Sequence, residues 1–248
     1  MQKFLKCSLY TSLLIGILGM THLRSLAMDI PSPPSKEVTE NRSQKVVYLT
    51  FDDGPTPLVG KILDVLNEQQ VKGTFFIVGK EIKQREAILK RIYEEGHGIG
   101  LHTYSHNFKT IYNSPSAFIK EMDKTLATIN EVLGENLDIK VIRFPGGSAG
   151  RLNQNFYNEL TERGYKIFDW NVNLEDGVKP GLSPSELLRN AKKSRDKSEC
   201  KIILAHCNSK NKTTCQALPQ IIHYYKEQGY RFEIIDNNTS PYYYRFKK

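Results

Sequence analysis

Val46-Val47-Tyr48-Leu49-Thr50-Phe51-Asp52-Asp53-Gly54-Pro55 begins as an apolar, β-rich run and stops on two acids at a turn. Adjacent side chains on an extended strand point to opposite faces, but a chain turning at Gly54-Pro55 can bring both carboxylates into one cavity. One acid can then bind a cation while its neighbour handles protons. Further along stands His102-Thr103-Tyr104-Ser105-His106, whose two imidazoles lie side by side if the segment makes a helical turn. Two imidazoles and one carboxylate leave a tetrahedral zinc with one open position, which marks a catalytic centre rather than a structural one.

Outward from this strand the chain alternates. Short β-rich runs at Val46 to Phe51, Thr74 to Val78, Gly98 to Leu101, Val141 to Phe144, Lys166 to Asp169, Lys201 to Ala205 and Arg231 to Ile235 are separated by longer amphipathic stretches. The clearest helix is expected over Pro115 to Leu133, where Phe118, Met122, Leu126, Ile129 and Leu133 return to one face, with Ser114 as N-cap and Gly134 as stop. Glu81 to Glu95 and Thr214 to Gln228 read as helices too. Periodicity alone does not separate an open sheet from a barrel. However, Asp52, Asp53, His102, Arg143, Asp169 and His206 all fall at or just past the ends of different strands, and a barrel gathers such ends at one mouth. No internal repeat and no nucleotide-binding glycine loop is present.

The chain ends read differently. Lys3 and Lys6 precede an apolar stretch from Leu9 to Met20, and Ser25-Leu26-Ala27 offers small residues for a signal peptidase, so 1–27 is expected to be an export signal, with an uncleaved anchor as the rival reading. Residues 28–44, with Pro31, Pro33 and Pro34, form a polar spacer, residues 45–236 the domain, and residues 237–248 an aromatic and basic tail expected to fray over apolar surface. The work site is secreted or at the cell envelope. Cleavage would remove Lys3, Lys6 and Arg24, lowering the formal charge from +8 to +5. That balance suits anionic surroundings such as a cell wall or membrane surface, and solvated lysines give the same total. No arginine-rich block points to nucleic acid. In an oxidising compartment one pair among Cys200, Cys207 and Cys215 is expected to be bridged, and sequence does not choose which.

Three further segments each end an expected strand: Arg143-Phe144-Pro145-Gly146-Gly147, Phe168-Asp169-Trp170-Asn171 and Leu204-Ala205-His206. With the Asp52-Asp53 and His102/His106 segments, they resemble in order and spacing the five motifs of the NodB-homology polysaccharide deacetylases, carbohydrate esterase family 4, across residues 45–236. The resemblance is to the subgroup acting on N-acetylated cell-wall and chitin-like glycans. It implies an α/β fold, a distorted (β/α) barrel of about seven parallel strands in a single domain, with a divalent metal, zinc or alternatively cobalt. It also implies that Asp53, His102 and His106 ligate the metal, Asp52 is the base, Arg143 orients Asp52, and His206 is the acid with Asp169 as its carboxylate partner. Trp170 would lie beside the acetyl group or His206, and Leu204 would line the methyl pocket. Gly146 stands where the family has a tyrosine, so its N–H donor survives without the aromatic wall. Cys207 follows His206 where relatives often carry aspartate, which puts the rim in question. Asp176, a few residues past Trp170, could approach the substrate, but a turn acid before Gly177 is the more economical reading, and His22, His97 and His223 lie off the pattern.

The implied reaction is hydrolysis of N-acetyl groups on N-acetylglucosamine or N-acetylmuramic acid of peptidoglycan, with chitin oligomers next. An N-acetylated glycan is then the partner. O-deacetylation of xylan needs the same groups, and a glycan-binding homologue without turnover would be expected to lack one of them.

Overall fold

The computed structural model describes residues 45–246 apart from 195 and 197. The expected signal, the whole of the spacer, and the last two residues of the tail lie outside the described residues. No described helix is long and apolar enough to cross a membrane.

Eight strands form one parallel sheet: β1 (Val46–Gly54), β2 (Thr74–Ile77), β3 (Gly98–Leu101), β4 (Val141–Ile142), β5 (Lys166–Ile167), β6 (Val172–Asn173), β7 (Cys200–His206) and β8 (Arg231–Glu233). Their order is β5-β4-β3-β2-β1-β7-β6, and β8 pairs with the start of β1 on the flank that β2 takes further along. The sheet curls into the distorted (β/α) barrel expected, open between β5 and β6. β6 is the strand the sequence reading lacks, since Val172–Asn173 is short and lies in no apolar run, whereas the equally short β4 and β5 begin the runs expected at Val141 and Lys166. Central β1 is covered on both faces along its second half: Val47, Leu49 and Phe51 are fully buried on one, Thr50 and Asp52 are buried on the other.

The helices are α1 (Pro57–Glu68), α2 (Glu86–Glu94), α3 (Phe108–Ile111), α4 (Pro115–Leu133), α5 (Gln154–Glu162), α6 (Pro184–Ala191) and α7 (Lys212–Glu227). α4 has the expected bounds. The Ser114 side chain accepts the Ala117 N–H and Pro115 opens the first turn, while Phe118, Met122 and Ile129 are buried. The helix expected over Glu81 to Glu95 is instead a 3-10 turn at Gly79–Ile82 followed by α2. Gln84, at φ +67°, takes a left-handed conformation no right-handed helix can contain.

Two expectations fail outside the sheet. All three described cysteines are free thiols: Cys200 is exposed at the start of β7, Cys207 is buried, and Cys215 lies half-buried on α7. Through Phe246 the tail does not fray. Tyr242 bridges Phe168 in parallel, its N–H donating to the Ile167 carbonyl at 3.1 Å, and the Tyr243 ring meets Tyr157 and Phe246. As expected, it covers apolar surface.

Candidate functional site

Strand ends supply the site. β1 breaks register with β2 between Asp52 and Gly54, and Asp53 in that bulge has φ +72°. A bulge re-aims a side chain, so two consecutive acids leave strict alternation and reach the same mouth. From the end of β3, His102 enters the mouth, and the loop behind it is strained at Thr103 (φ +67°) and His106 (φ +52°). Glu121 on α4 holds that loop by accepting the N–H groups of Tyr104 at 3.0 Å and Ser105 at 2.6 Å. The two histidines therefore come together through a tight loop and not along a helical face.

One oxygen of Asp53 lies 3.4 Å from His106 Nε2 and 3.8 Å from His102 Nε2, and the ligating atoms of all three residues fall within 4.8 Å of one another. Bonds of about 2.0–2.2 Å to a tetrahedral cation separate ligand atoms by about 3.4 Å, so the donor set fits a divalent ion. Its chemistry fits as well. His102 Nδ1 bonds the Arg143 carbonyl at 2.9 Å, which must be accepting, so Nε2 keeps its lone pair for a cation. Burial, helped by the neighbouring His102, depresses the pKa of His106 and favours the neutral ligating form.

Asp52 is buried behind this cage, with its second oxygen 3.7 Å from His102 Nε2. Arg143, completely buried at the end of β4, donates from one guanidinium nitrogen to Asp52 at 2.8 Å and to the Thr50 hydroxyl at 2.7 Å. Its remaining nitrogens donate to the Phe168 carbonyl at 2.9 Å and the Asp169 carbonyl at 3.2 Å, and its guanidinium carbon lies 4.0 Å from the Phe76 ring centre. Burial opposes the charge on Asp52, but Arg143, with His102 and His206 beyond it, holds the carboxyl below the usual carboxylate range. The contact is single, not the bidentate one a fork would allow. Behind Asp52, the Cys207 thiol and N–H both donate to the Asp52 carbonyl at 3.0 Å. Burial pushes that thiol far up, so Cys207 is an uncharged brace where an aspartate would set a charge.

β7 pairs with β1 so that His206 sits beside Asp52. The carboxylate that holds His206 is Asp176, not Asp169. Asp176 accepts from His206 Nδ1 at 2.8 Å and from the His206 N–H at 2.9 Å, and is itself fixed by the Thr214 hydroxyl at 2.8 Å. Burial works against the imidazolium, yet the hydrogen bond and charge of Asp176, with Asp52 and Asp53 behind it, raise the His206 pKa to about 9. Gly177 allows this arrangement, since a Cβ there would overlap the His206 ring. Among the described residues no protein group bonds His206 Nε2.

Asp169 does other work. It accepts the Ser148 N–H at 2.9 Å, the Ser148 hydroxyl, and the Tyr244 N–H at 2.9 Å, tying the loop after β4 to the C-terminal tail. Trp170 follows it, half-buried between Gly147 and Tyr244, with the Arg143 guanidinium 5.8 Å from its ring centre. Gly146 is exposed at φ +72°, and its N–H meets no acceptor among the described residues. Leu204 on β7 is buried yet stands outside the contiguous apolar core, as a residue at the mouth should. His97 is a core histidine: Nδ1 accepts the Gly73 N–H at 3.1 Å, and burial lowers its pKa to about 4.

Beside the cage a cleft of about 300 Å³ is lined by Asp53, His106, Lys80, Glu81, Arg85 and Asn208. A larger hollow lies between α1 and α7 and contains none of the three candidate ligands.

A curled parallel sheet with three side chains that could hold a cation, a buried carboxylate and a carboxylate-held imidazole at one mouth defines a hydrolase-like (β/α) barrel. The sequence pattern of the polysaccharide deacetylases matches residues 39–168. A putative polysaccharide deacetylase of Bacillus subtilis, YheN, is 32% identical, with 83% of this chain aligned to 72% of that one. A peptidoglycan-N-acetylglucosamine deacetylase of Bacillus cereus is 31% identical over 77% of this chain and 70% of its own. The solved structure of a Streptococcus mutans CE4 esterase superposes with a TM-score of 0.72 at 33% identity, covering 77% of this chain and 86% of that one. The chain belongs to the polysaccharide deacetylase family, carbohydrate esterase family 4.

Proposed function

We propose that this protein hydrolyses N-acetyl groups from N-acetylglucosamine or N-acetylmuramic acid in a cell-wall glycan, peptidoglycan first and chitin oligomers next, releasing acetate at the cell envelope after export. The observation that carries the reading is the convergence of Asp53, His102 and His106 with Asp52 and the His206–Asp176 pair at one mouth. The similar Bacillus cereus protein, named for deacetylation of N-acetylglucosamine in peptidoglycan, supports the substrate class.

Asp53, His102 and His106 would hold a divalent cation, zinc before cobalt, and when bound it supplies Lewis acidity at the acetyl carbonyl and lowers the pKa of water. Asp52, kept ionised by Arg143, takes the proton from the attacking water. As the water oxygen bonds the acetyl carbon, the carbonyl oxygen gains charge and the Gly146 N–H is a donor for it. Collapse breaks the C–N bond. The amide nitrogen is too basic to leave as an anion, so protonated His206 gives it a proton from Nε2 while Asp176 holds Nδ1. Leu204 and Trp170 enclose the methyl group. Acetate and a free sugar amine result.

Acetate release from purified peptidoglycan, N-acetylglucosamine oligomers and acetylated xylan, using zinc-reconstituted protein, tests the reading. Mass spectrometry of the glycan should find a loss of about 42 Da per sugar, abolished by chelator. Release from xylan alone would replace the amide reading with an ester one.

A further inference from the structure

Phe108 opens α3 directly after the cation cage, and 42% of it is exposed. Its ring stands edge-on to the ligand His106, with centres 5.6 Å apart. The other exposed large apolar residues among those described, Tyr93 and Val178, have no such neighbour among the ligands. Beside Phe108 lies Arg151, its guanidinium carbon 5.2 Å from the Phe108 ring centre and 5.1 Å from that of Tyr112. One guanidinium nitrogen donates to the carbonyls of Gly146 at 3.0 Å and Gly147 at 3.2 Å. No carboxylate of the described residues pairs with Arg151, and its other nitrogens have no protein acceptor there. Gly146 leaves both side chains uncovered: a Cβ at that position would come within 3.2 Å of the second guanidinium nitrogen and 3.3 Å of the Phe108 ring. The aromatic wall missing at position 146 is thus replaced by a ring and a cation from elsewhere.

We propose that Phe108 and Arg151 form an accessory subsite for the glycan, in which a pyranose face lies on the ring and a carboxylate carried by the strand pairs with the guanidinium. The inference rests on the deacetylase reading and narrows it: a carboxylate-bearing wall glycan is preferred to a neutral chitin-like one. A planar cation already pinned through one nitrogen loses little freedom on binding a carboxylate with the rest. Two sources carry that group in peptidoglycan, the lactyl ether of a strand stripped of peptide and the stem peptide itself.

Zinc-loaded wild type, Arg151→Gln, Arg151→Lys and Phe108→Ala are assayed on N-acetylglucosamine pentamer, peptide-stripped strands, stripped strands with carboxyls capped as methyl amides, and intact peptide-bearing strands. The ratio of kcat/KM for a carboxylate-bearing strand to that for the pentamer should fall about tenfold in Arg151→Gln, carried by KM, and recover partly in Arg151→Lys. Capping should cause the same fall in wild type. Phe108→Ala should raise KM on every substrate. A fall confined to stripped strands assigns the lactyl group, and one confined to intact strands the stem peptide. An unchanged ratio, or equal losses on neutral and charged substrates, would overturn the subsite and leave Arg151 as a brace for the Gly146-Gly147 turn. Wild type inactive on all four substrates would instead refute the deacetylase reading. Calorimetric binding of stripped against capped strands to wild type and Arg151→Gln then decides the subsite by itself, equal affinities counting against it.

Discussion

The charge on His206 depends on a carboxylate thirty positions earlier in the chain, and the identity of that carboxylate changes what a mutation should do. His206 serves as an acid only while protonated, and its pKa of about 9 keeps it so through neutrality. Activity should therefore be lost as pH rises through about 9. Asp176→Asn removes the partner that raises the pKa, so the alkaline limb of kcat against pH should move down, while Asp169→Asn should leave the limb in place and lower stability instead. An unmoved limb in Asp176→Asn would refute the pairing. Asp52, Asp53, His102, Arg143 and His206 were legible as site candidates because each ends a strand or follows one, and His106 through its spacing from His102; Asp169 shares that placement, so placement alone did not identify the partner of His206. Asp176 was not legible as that partner. Its position depends on β6, and an acid before glycine carries the same local signature whether it only turns the chain or also reaches an imidazole. Phe108 and Arg151 were hidden for a related reason: their meeting depends on the empty position at Gly146, a tertiary fact.

Among the elements, the loops carry the geometry and the strands only aim them. The loop after β6 passes so close to His206 that position 177 has no room for a side chain. Gly177→Ala must displace the ring or the loop, and kcat should fall at least tenfold with zinc binding retained, measured on one preparation by steady-state kinetics and metal analysis. The C-terminal tail is a second element whose role sequence understated. Its pairing with Phe168 and the Tyr244 bonds to Asp169 and the Trp170 carbonyl are backbone and tertiary contacts without periodicity to reveal them. Deleting residues 241–248 should cost about 1–3 kcal/mol in urea unfolding and shift the emission of Trp170 to the red. The strands themselves, β6 excepted, were readable as apolar runs, and α4 through its caps and repeat. Expected helix Glu81 to Glu95 broke where Gln84 turns left-handed, which no side-chain pattern announces.

For the whole molecule, the barrel collects residues from strands far apart in sequence, and its centre is held by charge as well as by apolar packing. Arg143 and Asp52 form a buried pair whose partners cannot be removed singly without leaving an uncompensated charge. Arg143→Ala should therefore destabilise the fold by about 3–5 kcal/mol, a larger loss than its position at a catalytic mouth would suggest. Asp52→Asn also leaves the Arg143 charge without its counter-ion, but it keeps an acceptor of the same shape for the guanidinium, so it should cost less than Arg143→Ala and remain folded. A cation binding only the folded cage should add about 2.7 kcal/mol of stability at a concentration one hundred times its Kd, reversibly lost to chelator.

The central claim is that three ligands and a separate base share one mouth. Zinc stoichiometry and acetate release from N-acetylated glycan, measured together on wild type, Asp52→Asn and His102→Ala, test it most directly. The account predicts one zinc and turnover in the wild type, one zinc with at least a hundredfold loss of turnover in Asp52→Asn, and loss of both in His102→Ala. Turnover near the wild-type rate in Asp52→Asn, or full zinc occupancy in His102→Ala, would contradict it.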